Sequence, residues 1–268
     1  MSEQRKIFSI KAALTILLAG LLLFFLLSGP STGESYQLDS AAQGQSAVSS
    51  VFQSFVSCNF FDNRSFLSSL TRLAEKTENG EALFSGKTRP LAGVIPHHLI
   101  AGEYIADFFA ACSAYDYDTV VLIGPNHSGQ RGEMILSDCG WQTPFGALNS
   151  DGELNSLLSG YFGLKTVTDA AFTEQEWSVA GLIPYVGYYL PEARVSTVLF
   201  SASANLAQAF SLAELLAGLD KNILVVFSID FSHYLSAEQA ELKDRETIQA
   251  VEAADFAAIA RIDRKSVV

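Results

Sequence analysis

A three-layer α/β/α domain with a mostly parallel sheet, preceded by an amino-terminal membrane segment, is the fold that this sequence predicts. Short runs of β-branched and apolar residues, near 94–96, 119–123, 194–200 and 222–229, alternate with stretches of helical periodicity. That alternation is the pattern of parallel strands buried on both faces. Each of the four histidines, His97, His98, His127 and His233, falls just beyond the end of such a run. Residues 12–27 form one unbroken apolar stretch behind Arg5, Lys6 and Lys11.

A basic segment followed by an apolar one is shared by signal peptides and membrane anchors. No Ala-x-Ala site follows residue 27, and Pro30 hinders cleavage, so an uncleaved anchor is favoured over a removed signal peptide. The basic residues would stay cytoplasmic and leave the main domain outside. Residues 31–50, rich in Ser, Gly, Gln and Ala, read as a polar linker. Residues 51–90 read as a helical lead-in. Val51, Phe52 and Phe55, then Phe66, Leu67, Leu70 and Leu73, recur at helical spacing, with Asp62-Asn63 as a break or cap. Ser85-Gly86-Lys87-Thr88 has the ending of a phosphate loop. Glu81 stands where that loop needs its first glycine, and a strand follows, so a phosphate loop is excluded.

Residues 91–268 read as one α/β domain. After His98, an apolar stripe of Ile100, Tyr104, Ile105, Phe108, Phe109 and Cys112 predicts a helix, with Glu103 and Asp107 facing away. The strand at 119–123 is stopped by Gly124-Pro125. Residues 133–137 predict a further strand, 141–146 a loop, 151–162 a helix and 165–168 a short strand. The stretch 174–190 is helical in pattern, with Pro184 imposing a kink or break. Strand 194–200, helix 206–219, strand 222–229 and a mostly helical 237–262 complete the chain.

Composition excludes some partners. With 29 acidic against 17 basic residues the net charge is −12, which argues against a nucleic-acid or anionic-lipid surface. Cys58, Cys112 and Cys139 lack paired metal-ligand spacing and read as ordinary thiols, at least one of them free.

Three segments carry a family resemblance. They are Val94-Ile-Pro-His97-His98 with Ala101-Gly102 close behind, Leu122-Ile-Gly-Pro-Asn-His127, and Ser228-Ile-Asp230-Phe-Ser-His233-Tyr234. In this order and spacing they resemble the motifs of the Memo family, also called AmmeMemoRadiSam system protein B, over residues 91–262. That family is similar in fold to the class III extradiol dioxygenases, which are non-haem iron enzymes. The resemblance implies that His97 and His127 face a metal and that Asp230 and His233 line the same cleft. It also allows protein or peptide partners.

The chain departs from the family in two places. Glu176-Trp177-Ser-Val-Ala180 stands where relatives carry Glu-His-Ser-Ile-Glu, so Trp177 replaces a histidine and Ala180 an acid. Relatives also tend to supply a further ligand, often cysteine, near the carboxyl end. This chain stops at Val268 before that point, so a truncated carboxyl terminus is expected.

In open α/β sheets ligands bind beyond the carboxyl ends of the strands. His97, His127 and Asp230 would supply two imidazoles and a carboxylate from three such ends, a set suited to Fe(II) with open positions for substrate and dioxygen. Zinc competes, since the same donors hold it tetrahedrally with a water. His233, three residues past Asp230, is the acid–base candidate together with Asp230. The plainer alternative for Asp230 is a cap on the turn after its strand. His98 reads as neighbouring structure. The leading expectation is a membrane-tethered protein with a metal-binding cleft, an oxidoreductase of extradiol type. A non-catalytic protein- or peptide-binding module with a degenerate site, and a metal-dependent hydrolase, are the alternatives.

Overall fold

The computed structural model describes residues 54–80, 88–201, 204, 206–232, 235–253, 255 and 258. The anchor and linker expectations (12–27 and 31–50), the Ser85–Lys87 segment, His233 and the carboxyl-terminal residues 261–268 lie outside them. Among the described residues no helix is long and apolar enough to cross a membrane.

A six-stranded mixed sheet forms the centre of an α/β fold. Its strands are β2 (Ala92–Ile95), β3 (Thr119–Pro125), β4 (Met134–Leu136), β7 (Thr166–Thr168), β8 (Arg194–Phe200) and β9 (Ile223–Ser228), in the order β2-β9-β3-β8-β4-β7. The first four in that order are mutually parallel, while β4 runs antiparallel to β8 and carries β7 beside it. A smaller sheet joins β1 (Phe55–Ser57) to β5 (Gly140–Thr143) and β6 (Gly146–Leu148).

Successive strand residues point to opposite faces, and the core divides accordingly. Val121, Ile123, Val225 and Phe227 pack in one apolar cluster, whereas Val120, Leu122, Leu224 and Val226 pack in another. On the first face lie α3 (Gly152–Phe162), α7 (Leu206–Gly218) and α8 (Ala237–Glu252). On the second lie α1 (Asn63–Glu78), α2 (Gly102–Cys112), α5 (Trp177–Ala180) and α6 (Ile183–Tyr189), just after α4 (Ala170–Gln175). Both faces of β3 and β9 are therefore dry, which is why those strands read as unbroken apolar runs.

Several local expectations need correction. The helical lead-in contains strand β1, because Phe55 to Ser57 pair with Gly140 to Gln142, and the helix begins only after Asp62, whose carboxylate accepts from Ser65 N–H at 2.6 Å. The loop expected at 141–146 is largely the β5–β6 hairpin. Residues 174–190 break into α4, α5 and α6, with Pro184 in the first turn of α6, where its missing donor costs nothing. On α2 the expected faces are partly exchanged: Asp107 is buried, while Ile100 just before the helix and Tyr104 are exposed. Helix α2 packs against α1 and α6 as well as the sheet, so more than one stripe is covered. Glu103 is drawn to Lys76 of α1, 3.0 Å away.

Candidate functional site

Strand register assembles the site. In the parallel β2–β9 pair, Ile95 lies opposite Ser228, so His97 and Asp230, each two residues further on, come side by side. His97 N–H donates to Asp230 Oδ1 at 3.0 Å. Strand β3 flanks β9 on its other side, with Ile123 opposite Phe227, and delivers His127 to the same level. The His97 and His127 rings stand 5.4 Å apart, nearly perpendicular. Three of the four predicted site residues are thus together at the carboxyl ends of neighbouring strands. His98 is exposed and caps the turn at Leu99–Ala101, with its ring edge-on to Trp177 at 6.3 Å between centroids.

Burial separates the two histidines. The His97 side chain is 3% exposed and that of His127 is 39% exposed. Burial drives the His97 imidazolium down to about 4, against the opposing pull of Asp230, so the ring is neutral at pH 7. Its Nδ1 lies 2.9 Å from Ser228 Oγ, and the Ser228 hydroxyl donates to the Ser178 carbonyl. Its Nε2 lies 3.3 Å from Asp230 Oδ2, a buried oxygen with no hydrogen-bond partner.

Glu176 is the residue that sequence reasoning missed. Its side chain is 4% exposed, and Oε1 lies 2.8 Å from His127 Nδ1 while Oε2 accepts from His127 N–H at 3.0 Å. Burial raises the Glu176 carboxyl, but the His127 ring and the Ser178 and His127 N–H donors outweigh it and hold it below the ordinary value. The sequence shows Glu176 only as the start of the departing motif; the signal for its role is that the resembled Glu-His-Ser-Ile-Glu motif also begins with an acid at this position. Trp177 itself stacks on His127 at 4.8 Å between centroids and meets the His97 ring edge-on at 4.7 Å. The indole fills space between two candidate ligands.

The arrangement limits the chemistry. Ser228, His97 and Asp230 have the residue types of a serine-hydrolase triad, but Ser228 is wholly buried and its proton is committed to Ser178. No carbonyl substrate reaches it, so a serine nucleophile is excluded. Among the described residues no three His, Cys, Asp or Glu side chains already form a metal-holding group; His97 and Asp230 meet, and His127 stands one ring away. The orphaned, buried Asp230 Oδ2, 3.3 Å from His97 Nε2, still fits a cation, because a carboxylate oxygen taken out of water without a partner is costly. A separate polar groove of about 750 Å³, lined by Ser137, Asp138, Cys139, Asn155 and Ser156 among others, contains none of the predicted site residues.

Fold and site together define an α/β protein that gathers histidines and a carboxylate at the carboxyl ends of a central sheet. The chain belongs to the Memo-like protein family, whose model matches residues 62–265. It is 29% identical over 187 residues to a MEMO1 family protein of Pyrobaculum arsenaticum, covering 66% of this chain and 65% of that protein. A MEMO1 family protein of Methanopyrus kandleri is 28% identical over 193 residues, covering 70% and 66%. One of Aquifex aeolicus is 32% identical over 175 residues, covering 62% of each. The chain thus spans somewhat under two thirds of the length of these relatives. The family match begins at residue 62, so α1 lies inside it.

Proposed function

We propose that this Memo-family chain binds a divalent metal in the cleft formed by His97, His127 and Asp230, and that residues 12–27 tether it to a membrane. The single observation that carries the metal reading is Asp230 Oδ2, buried, without a hydrogen bond and 3.3 Å from His97 Nε2. An anionic oxygen left in that state costs about 1–3 kcal/mol or more, which a cation removes. His97, His127 and Asp230 would hold the ion, and His233, three residues beyond Asp230, would stand near it as an acid–base group. Fe(II) in such a set supplies open positions for dioxygen and substrate, and zinc supplies an acidified water. On this reading the protein is a non-haem oxidoreductase of extradiol type. The surrounding residues contribute orientation: Glu176 and Ser228 anchor the two rings, and Trp177 walls one side against water.

Trp177 supports a second reading. An indole in contact with both imidazoles leaves less room for an ion and a substrate, as expected of a non-catalytic binding module that kept the fold. Metal per chain, measured by elemental analysis after purification without chelator, separates the two. The metal reading expects bound metal in the wild type and its loss in His97→Ala, His127→Ala and Asp230→Asn, with a smaller loss in His233→Ala. Equal, negligible metal in wild type and His127→Ala would leave the binding module standing. Membrane tethering is tested apart: the full chain should pellet with membranes and resist carbonate extraction, and a soluble form beginning near Ser31 would overturn the anchor.

A further inference from the structure

Three consecutive residues reach both histidines. Glu176 bonds the His127 ring through Nδ1 and the His127 backbone through N–H. Trp177 lies against both rings. The Ser178 carbonyl accepts from Ser228, whose oxygen lies 2.9 Å from His97 Nδ1. The same turn is fastened to the end of β3, because Ser178 Oγ–H donates to the Pro125 carbonyl at 2.9 Å.

The protons can be followed along these bonds. A serine hydroxyl has one proton, and that of Ser228 is donated to Ser178, so its oxygen can only accept from His97. Nδ1 of His97 therefore carries a proton. Both Glu176 oxygens accept backbone N–H groups, Oε2 from His127 and Oε1 from Ser178, so His127 Nδ1, 2.8 Å from Oε1, is the donor of that pair and carries a proton too. In its neutral form each imidazole has a single N–H, so with Nδ1 protonated its Nε2 is bare.

We infer that the Glu176–Trp177–Ser178 turn is a tautomer-setting clip: it commits both His97 and His127 to the Nδ1–H form and presents two Nε2 lone pairs beside Asp230. Glu176 and the Ser178–Ser228 relay are positioning residues, since neither reaches the cleft itself. The inference rests on the metal reading only for its purpose; the tautomers exist without any metal. Metal-ligating histidines anchored through their second nitrogen lose about 10–100-fold in affinity when that anchor is removed.

The test is long-range ¹H–¹⁵N correlation of the imidazole rings in the metal-free, ¹⁵N-labelled full chain near neutral pH. With four histidines in the sequence, the ring signals are assigned by single His→Gln variants. Wild type should show Nδ1–H for both His97 and His127. Glu176→Ala should release His127 alone toward Nε2–H, and Ser228→Ala should release His97 alone. A merely structural role would disturb both rings together. Either ring found as Nε2–H in wild type, or both variants leaving the tautomers unchanged, overturns the proposal. Correct tautomers in a chain that binds no metal would instead sink the metal reading and leave the clip intact. Metal bound by a chain with reversed tautomers would do the opposite.

Discussion

His97 Nε2 stands 3.3 Å from Asp230 Oδ2, a buried oxygen with no hydrogen-bond partner. Parallel register places them there: Ile95 pairs with Ser228, and both chains run on by two residues before turning. A buried carboxylate oxygen left without a hydrogen bond is costly.

Asp230→Asn should separate stability from metal binding. The amide oxygen keeps the bond from His97 N–H, and the new NH₂ group donates to the bare Nε2. In chelator, urea unfolding should show the variant about 1 kcal/mol more stable than wild type. Its metal content should fall at the same time. A variant less stable than wild type in chelator would show that the two acceptors do not face each other.

Gly124→Ala should damage the site from outside it. A Cβ there would lie 2.5 Å from Ser178 Oγ and 2.8 Å from Val179 Cγ1, so α5 would have to move off β3. Overpacking of this kind costs about 1–3 kcal/mol. Because the displaced segment carries Glu176 and Trp177, metal affinity should drop with stability. Retained affinity at lowered stability would mean that the turn tolerates displacement.

Trp177 should report the metal directly. It touches both candidate ligands, whereas Trp141 is wholly buried in β5. A paramagnetic divalent ion in the cleft should quench Trp177 emission. In Trp177→Phe the remaining Trp141 emission should hardly respond to the same titration. Equal quenching in both proteins would place the ion away from this cleft.

Acid should unfold the protein partly through Asp151. Burial raises its carboxyl, but the Thr119 hydroxyl at 2.6 Å, the Leu154 N–H at 3.0 Å and the Lys221 ammonium at 3.1 Å hold it below 3.8. A carboxyl depressed in the folded state adds stability above its unfolded value, about pH 4, and that stability is lost as pH falls through the folded value. Asp151→Asn should cost about 1–3 kcal/mol near neutral pH. The gap to wild type should close below about pH 4 in urea titrations. A gap independent of pH would assign the loss to the helix cap alone.

Much of the architecture was legible in the residues. Mostly apolar runs, buried almost throughout because both faces are covered, marked β3, β8 and β9, and Gly124-Pro125 marked where β3 ends. Asp62 announced the start of α1, and Pro184 the break before α6. The placing of His97, His127 and Asp230 at strand ends was legible, because each follows the end of an apolar run. Strand β1 and the β5–β6 hairpin were not legible, since three- or four-residue strands carry too little periodicity to distinguish from loop, and β4, read as a strand at 133–137, gave no sign of its antiparallel direction.

The finer organisation of the site was decided only in three dimensions. The order β2-β9-β3 brings Ser228 and Asp230 between histidines that lie far off in sequence, and no local signal names a strand's neighbours. Glu176 reaches His127 across 49 residues, and Ser228 reaches His97 across 131. Residue type restricts what each group can donate or accept, so the sequence by itself determined which atoms were available for metal and proton chemistry. Which nitrogen of each ring is left bare depends on a partner delivered by long-range packing, and that packing is set by how two buried faces close on one sheet rather than by any pattern along the chain.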